Sequence, residues 1–405
     1  DEIVSLHNKF MEGRVGGRRA VLRKIDLSGL SLKGRDLRQA DFSGCTMKNM
    51  DLANANFREA SLYACDLSHS DLSGVCFVRS DLRGAVIESA DLKNANLDKA
   101  DLRSGGLTTD GSFGTGKSRN VNFRGANLSG ARLVGTLASN ADFSDAIMAK
   151  IDLTAADLRG AHFEGADMTE ADIKGAQLVG ANMSSTILTG VKIDEIKNAG
   201  VEMRGAITDE NVGKSVTTLS SPLTMLIREH RSWVGTVGRE GRQLDLSGYD
   251  LRSLLSLSGE KLTAIKASGS RFCGMDLTDI QLQSALLDDS DFRSAYLRGA
   301  DFRASSLKRS RFSHADLRGA DFSPLQFDVG GVKRSSPCNM SDSNMRYANC
   351  EGAKMRMAAF KGADLAYAYF TGADLREADF TGASLDGAIL TDAITDGAVF
   401  DKSDV

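Results

Sequence analysis

The sequence predicts an all-β solenoid, and three observations carry that reading. A bulky apolar residue returns at every fifth position, a small residue stands two places before each, and the whole pattern occurs twice with a similar preamble. Residues 161–182, AHFEGADMTEADIKGAQLVGAN, show the unit most plainly: Phe163, Met168, Ile173, Leu178 and then Met183 recur behind Ala161, Ala166, Ala171, Ala176 and Ala181. The residue between is usually polar, as in Asp167, Asp172 and Asn182. Such a period matches neither the 3.6 of a helix nor the 2 of a strand, which leaves a repeat architecture.

The pattern small–(Asp/Asn)–(Leu/Phe)–x–x, most literal at Ala90-Asp91-Leu92, Ala126-Asn127-Leu128 and Ala373-Asp374-Leu375, resembles the pentapeptide-repeat family across most of the chain. That resemblance implies a right-handed quadrilateral β-helix, one pentapeptide to a side and about twenty residues to a coil.

At 405 residues the chain could hold several ordinary domains, but a solenoid grows by adding coils and needs no second core. Gly is abundant (41) and Pro scarce (3), as suits tight turns joining bridges that proline would deprive of donors. Aromatics at 6% imply a narrow interior. Cys45, Cys65, Cys76, Cys273, Cys338 and Cys350 are scattered and read as reduced core thiols; Cys45 and Cys65, one coil apart, should stack without needing a disulfide. The sequence has neither an apolar run of membrane-spanning length nor the charged and apolar regions of a signal peptide, so a cytoplasmic location is expected.

Residues 1–25 stand outside the period, and Ile3, Leu6, Phe10 and Met11 share a helical face; a short amphipathic helix capping the first coil is expected there. From Leu27 seventeen centres run in one register to Leu107. The loop 108–120, TTDGSFGTGKSRN, breaks it, and the period resumes at Phe123, with Ala138 an undersized centre, to end weakly at Met203. The first domain is thus 1–205. A linker and second capping helix fill 206–245, the helix opening at Ser221-Pro222 and burying Leu223, Leu226, Ile227, His230 and Val234.

The two preambles match. His7-x-x-Phe10 and His230-x-x-Trp233 are each followed by a Gly/Arg-rich turn and then by Asp-Leu-Ser-Gly, at 26–29 and 245–248. Tandem duplication is the natural reading. In the second solenoid, 246–405, the centres begin at Leu246 and Leu251, shift by one at Leu257 and reach Phe327, again seventeen. The loop 328–337, DVGGVKRSSP, then interrupts, so both interruptions should sit at equivalent corners. The register resumes at Met340 and continues to Phe400. No helix follows, which suggests a homodimer through the C-terminal coil, as the resemblance also implies.

Residues twenty apart should stack at roughly 4.7–4.9 Å, giving phenyl ladders at Phe123, Phe143 and Phe163, at Phe272, Phe292 and Phe312, and at Phe360, Phe380 and Phe400. On the outside, Arg271, Asp291 and Arg311 alternate in sign, an arrangement that suits mutual pairing on an exposed face. Asp51, Asp71 and Asp91 stack like charges, to be held by turn N–H groups or read by a partner as an acidic stripe.

Little points to chemistry. Gly111, Gly116, Lys117 and Ser118 fit the spacing of a phosphate loop, but no parallel strand precedes them and the repeat restarts where the helix should be. Arg19-x-x-x-Arg23 with Asp26-x-Ser28 resembles cyclic-dinucleotide readers of the PilZ type, yet Ser31 stands where glycine belongs and the following residues are already repeat. The five histidines are dispersed, with no zinc spacing and no nucleophile–base pair. The expectation is no enzyme, cofactor, metal or small-molecule substrate. Residues 1–205 carry 26 basic and 27 acidic side chains and 206–405 carry 24 and 27, a balance that favours neither direct nucleic-acid binding nor a wholly acidic surface. The leading reading is a rigid protein-interaction scaffold contacting its partner through the two loops, with Lys117, Arg119, Lys333 and Arg334 as candidates, or through a face such as Asp51–Asp71–Asp91. The alternative, from gyrase-protecting members of the family, is a DNA-mimicking modulator of a type II topoisomerase.

Overall fold

The structure, a computed structural model, describes residues 2–106, 118–329 and 332–401. The chain divides into two compact units, Asp1–Asn211 and Val212–Val405, with separate hydrophobic cores.

Each module acts through the polar residue before its centre, which forms a parallel bridge to the residue twenty positions on: Asp51 to Asp71, then Asp71 to Asp91. The Leu52 N–H donates to the Asp71 carbonyl at 2.8 Å and the Asp71 N–H to the Met50 carbonyl at 2.9 Å, so nearly every outward strand position is hydrogen-bonded to the coils on both sides. The small residue and the centre point inward and are buried. A corner must follow every module, and it puts one residue in the left-handed region, φ 57° at Asn54 and 63° at Gly74. A Cβ on Gly74 would lie 2.4 Å from Asn54 Oδ1. Glycine at this corner leaves room for the asparagine amide one coil below.

The first unit opens with α1 (Glu2–Met11). Its apolar stripe does not do the docking expected of it: Ile3 and Phe10 are 46% and 39% exposed, and the buried residue is His7, whose Nδ1 accepts the Ala20 N–H at 3.0 Å. The helix turns the imidazole inward because that ring satisfies the N–H of Ala20, just before the first bridge at Val21, which an aliphatic side chain cannot do. Coiling also starts one module earlier than Leu27, with Val21 bridged to Asp41 and Ala20 buried beneath. After the interruption, bridging partners lie 36 apart for one coil (Val86 to Asn122) before twenty-residue spacing returns, ending at Ile207. Ile193, expected as the last regular centre before Met203, instead caps a helical turn, α2 (Asp194–Asn198), and Lys192 before it forms none of the bridges among the described residues.

The second unit opens on a short strand, β1 (Lys214–Ser215), paired in parallel with β2 (Tyr249–Asp250), and on α3 (Leu223–Gly235), which buries Ile227 and His230. His230 Nδ1 accepts the Leu244 N–H at 3.1 Å, as His7 does for Ala20. The rings also stack alike, His7 on Phe10 at 6.0 Å and His230 on Trp233 at 5.8 Å. Behind each helix a glycine passes close against the helix backbone: a Cβ on Gly17 would lie 2.4 Å from Phe10 N, and one on Gly241 2.1 Å from the Glu229 carbonyl.

Sixteen bridging residues run from Asp26 to Asp101, and sixteen from Asp245 to Asp321. The expected seventeenth centres fall away differently. Leu107 lies outside the described residues, and Phe327 is no centre: it is 47% exposed in a hairpin of β3 (Leu325–Val329) and β4 (Val332–Ser336). Counted from Asp-Leu-Ser-Gly, both interruptions still leave from the same corner. The phenyl rings stack at 5.0 and 5.2 Å through Phe123, Phe143 and Phe163, at 4.7 and 4.8 Å through Phe272, Phe292 and Phe312, and at 5.1 and 4.9 Å through Phe360, Phe380 and Phe400.

Candidate interaction surface

The β3–β4 hairpin departs from the ladder in the second unit. Leaving after Phe322, it runs antiparallel in register Leu325–Ser336, Phe327–Arg334 and Val329–Val332. Alternation places the pairs Leu325–Ser336 and Phe327–Arg334 on one face. Phe327 and Arg334 are both exposed, a large apolar ring beside a cation. Lys333 pairs through its main chain with Asp328.

At the first interruption Lys117 lies outside the described residues, as do Gly111 and Gly116 of the phosphate-loop spacing. Arg119 is described, and it is no free contact residue. Its backbone pairs with Gly105, its Nε donates to the Gly84 carbonyl at 2.5 Å and its Nη2 to the Ala64 carbonyl at 2.9 Å. The guanidinium at the loop's root thus caps two corner carbonyls, which the backbone ladder does not use.

The Asp51, Asp71 and Asp91 carboxylates follow the turn. Each accepts the N–H two residues on, from Ala53 (3.3 Å), Ser73 (3.0 Å) and Lys93 (3.0 Å). Lys33 lies 3.7 Å from Asp51 and Lys93 3.2 Å from Asp91. The stripe is partly neutralised, which is why like charges can stack one coil apart.

A further sequence signal supplies nine of the ion pairs among the described residues. Asp-x-Arg recurs, as at 36/38, 81/83, 101/103, 157/159, 250/252, 291/293, 301/303, 316/318 and 374/376, and in each the arginine reaches back over the centre to grip its own carboxylate. At Asp291 this overturns the expected alternation with Arg271 and Arg311. The pair Arg293–Asp291 is buried, Nε to Oδ1 at 2.9 Å and Nη2 to Oδ2 at 2.6 Å, because the fork two residues away reaches the carboxylate with better geometry than a neighbour one coil off. Burial acts to raise the Asp291 pKa, but the charge and hydrogen bonds of Arg293, with Arg311 adding, hold it well below the usual carboxylate range.

All six cysteines are free thiols. Burial pushes the Cys65, Cys338 and Cys350 thiols far up, leaving them inert as nucleophiles. Among the described residues no group of three His, Cys, Asp or Glu side chains is placed to hold a metal ion, and no helix is long and apolar enough to cross a membrane.

The coil geometry has a counterpart in sequence. The family model for pentapeptide repeats matches in eight copies, over residues 36–74, 65–103, 119–154, 151–190, 285–323 and 358–392, more than half of the chain. The chain belongs to the pentapeptide-repeat family. Among solved structures it is similar to a pentapeptide repeat protein of the Arabidopsis thaliana thylakoid lumen, at 26% identity over 29% of this chain and 71% of that one, with a TM-score of 0.24. It is also similar to full-length QnrB1, a plasmid-mediated fluoroquinolone resistance protein, at 19% over 47% and 94%, TM-score 0.25. A third is HetL of Nostoc sp. strain PCC 7120, a pentapeptide repeat protein involved in heterocyst differentiation regulation, at 19% over 98% and 96%, TM-score 0.14. No curated protein matches. Within the pentapeptide-repeat framework, the hairpin at 325–336 is a departure from the repeat.

Proposed function

We propose that this protein is a non-enzymatic, cytoplasmic interaction scaffold: two tandem right-handed solenoids, each closed at its N-terminal end by a helix, that hold a recognition loop at the same corner. One observation carries the reading. An otherwise unbroken ladder is opened to project a hairpin whose face presents Phe327 beside Arg334, an aromatic and an arginine being the residue types that dominate binding energy at protein interfaces. Rigid scaffolds commonly place recognition on such loops. Lys333 and Arg334, with Lys117 in the first loop, are the contact residues of this proposal; Arg119 anchors. Affinity purification from the native host with Phe327→Ser/Arg334→Glu protein tests it, since partner capture should be lost while the far-UV spectrum is unchanged.

The Asp51–Asp71–Asp91 ladder favours a second reading, a DNA-mimicking modulator of a type II topoisomerase. A gyrase supercoiling assay separates the two, because a scaffold for another partner leaves supercoiling unaffected. Self-association through the last coil is supported by Ile389, Ile394 and Val399, exposed apolar residues at bridging positions usually taken by polar ones. Light scattering of Ile394→Asp/Val399→Asp protein against the parent checks it: the parent should scatter as a dimer and the variant as a monomer.

A further inference from the structure

On one face of the second unit the bridging ladder reads Asp250, Arg271, Asp291, Arg311 and Asn344. Every carboxylate there already has its own arginine. Asp250 is gripped by Arg252 at 2.8 and 3.0 Å, Asp291 by Arg293, and Asp289, at the adjoining corner, by Arg309 at 2.7 and 2.8 Å. Asn344 accepts the hydroxyl of Ser313. Arg271 and Arg311 are left over. Neither guanidinium makes a hydrogen bond or ion pair within the described residues, and Arg271 Nε is buried with no partner.

The excess charge is felt locally. Burial, then the like charges of Arg293 and Arg271, push the Arg311 pKa down against the pull of Asp291, whereas arginines gripping a carboxylate of their own are shifted up, as at Arg83, Arg303 and Arg309. Three guanidiniums thus surround one carboxylate. Two of them, half-buried and one coil above and below the third, have unspent donors in the planar fork that suits carboxylate or phosphate oxygens. Their α-carbons lie two coils apart, roughly 9–10 Å, a span that long arginine arms can close from both sides over the Asp291–Arg293 pair.

We infer that this face is an oxyanion-binding site, in which Arg271 and Arg311 close on a polyanion carrying phosphate or carboxylate groups. The inference does not depend on the scaffold reading.

Calorimetry on the full chain at low ionic strength, where such attraction is least screened, tests it with two probes, tripolyphosphate and a hexaglutamate peptide. The expected result is saturable one-to-one binding of at least one probe, weakened about tenfold or more in Arg271→Gln/Arg311→Gln protein and unchanged in Arg318→Gln, whose arginine is committed to Asp316. The tighter probe names the natural oxyanion. In the unsubstituted protein the same probe should raise the second unit's melting temperature above that in sodium chloride of equal ionic strength, a readout free of any folding defect in the variants. No saturable binding of either probe, or equal binding by the Arg271→Gln/Arg311→Gln protein, overturns the inference.

Discussion

Replacing Phe143 by Ala removes the middle ring of a three-ring stack. Phe143 is fully buried, with Phe123 at 5.0 Å and Phe163 at 5.2 Å, the planes within 5° of parallel. The substitution forfeits the transfer free energy of the ring, leaves a cavity that neighbouring coils, fixed by ladder hydrogen bonds, cannot collapse into, and removes both stacking contacts. Fully buried Phe→Ala changes cost about 3–5 kcal/mol, and the loss of two stacks places this one at the upper end. Against a domain stability of about 5–15 kcal/mol that is a large fraction. The loss should stay within the first unit, whose core is separate. The only tryptophan, Trp233, lies on α3 of the second unit, so urea unfolding followed by tryptophan fluorescence reports that unit while far-UV circular dichroism reports both. Phe143→Ala should move the first unit's transition to lower urea and leave the Trp233 transition in place. An unmoved dichroism curve would refute the stacked core, and an equal shift of the Trp233 transition would refute the independence of the two cores.

Other outcomes follow from particular contacts. Arg293→Met leaves Asp291 buried without its cation and should cost the second unit about 3–5 kcal/mol by urea unfolding; Arg303→Met, at a more exposed fork, should cost under about 1 kcal/mol. Arg119→Ala leaves the Gly84 and Ala64 carbonyls without this donor and should destabilise the first unit by about 1–3 kcal/mol. Burial lowers the pKa of both His7 and His230 against nearby carbonyls, of Arg38 for His7 and of Thr263 and Leu262 for His230, with Asp36 raising the His7 value and Arg19 and Arg38 lowering it. Their contribution is therefore complete above the unfolded value of about 6.5 and is lost as pH falls from there through the lower folded value. Acidification should loosen α3, read as a change in Trp233 emission, and His230→Gln should remove that part of the pH dependence.

The coil was legible because its constraints are local and repeated. One inward small residue, one inward bulky residue and one outward polar residue per module leave a five-residue imprint that any long stretch displays, and adding twenty to Phe123 or Phe272 finds its stacking partners. What the period could not reveal lies where a residue type serves two geometries. Phe327 sits at the correct interval and would pass for a centre, yet three residues earlier Pro324 lacks the N–H that a coil corner uses, and the strand leaves the stack. His7 lies outside the apolar helical stripe, and the His-x-x-aromatic spacing it shares with His230 marks it for burial in its cap, but only the structure shows its ring nitrogen taking the Ala20 N–H. Arg119 looked like a loop cation because sequence distance hides the carbonyls of Gly84 and Ala64. The lone positions of Arg271 and Arg311 could be seen only once each aspartate had been matched to the arginine two residues after it.

The measurement that tests the scaffold reading most directly is partner capture from the native host with residues 108–117 and 326–335 removed, sparing Arg119. The account predicts an unchanged far-UV spectrum and loss of the proteins captured by the intact chain; capture of the same proteins by the shortened chain would contradict it.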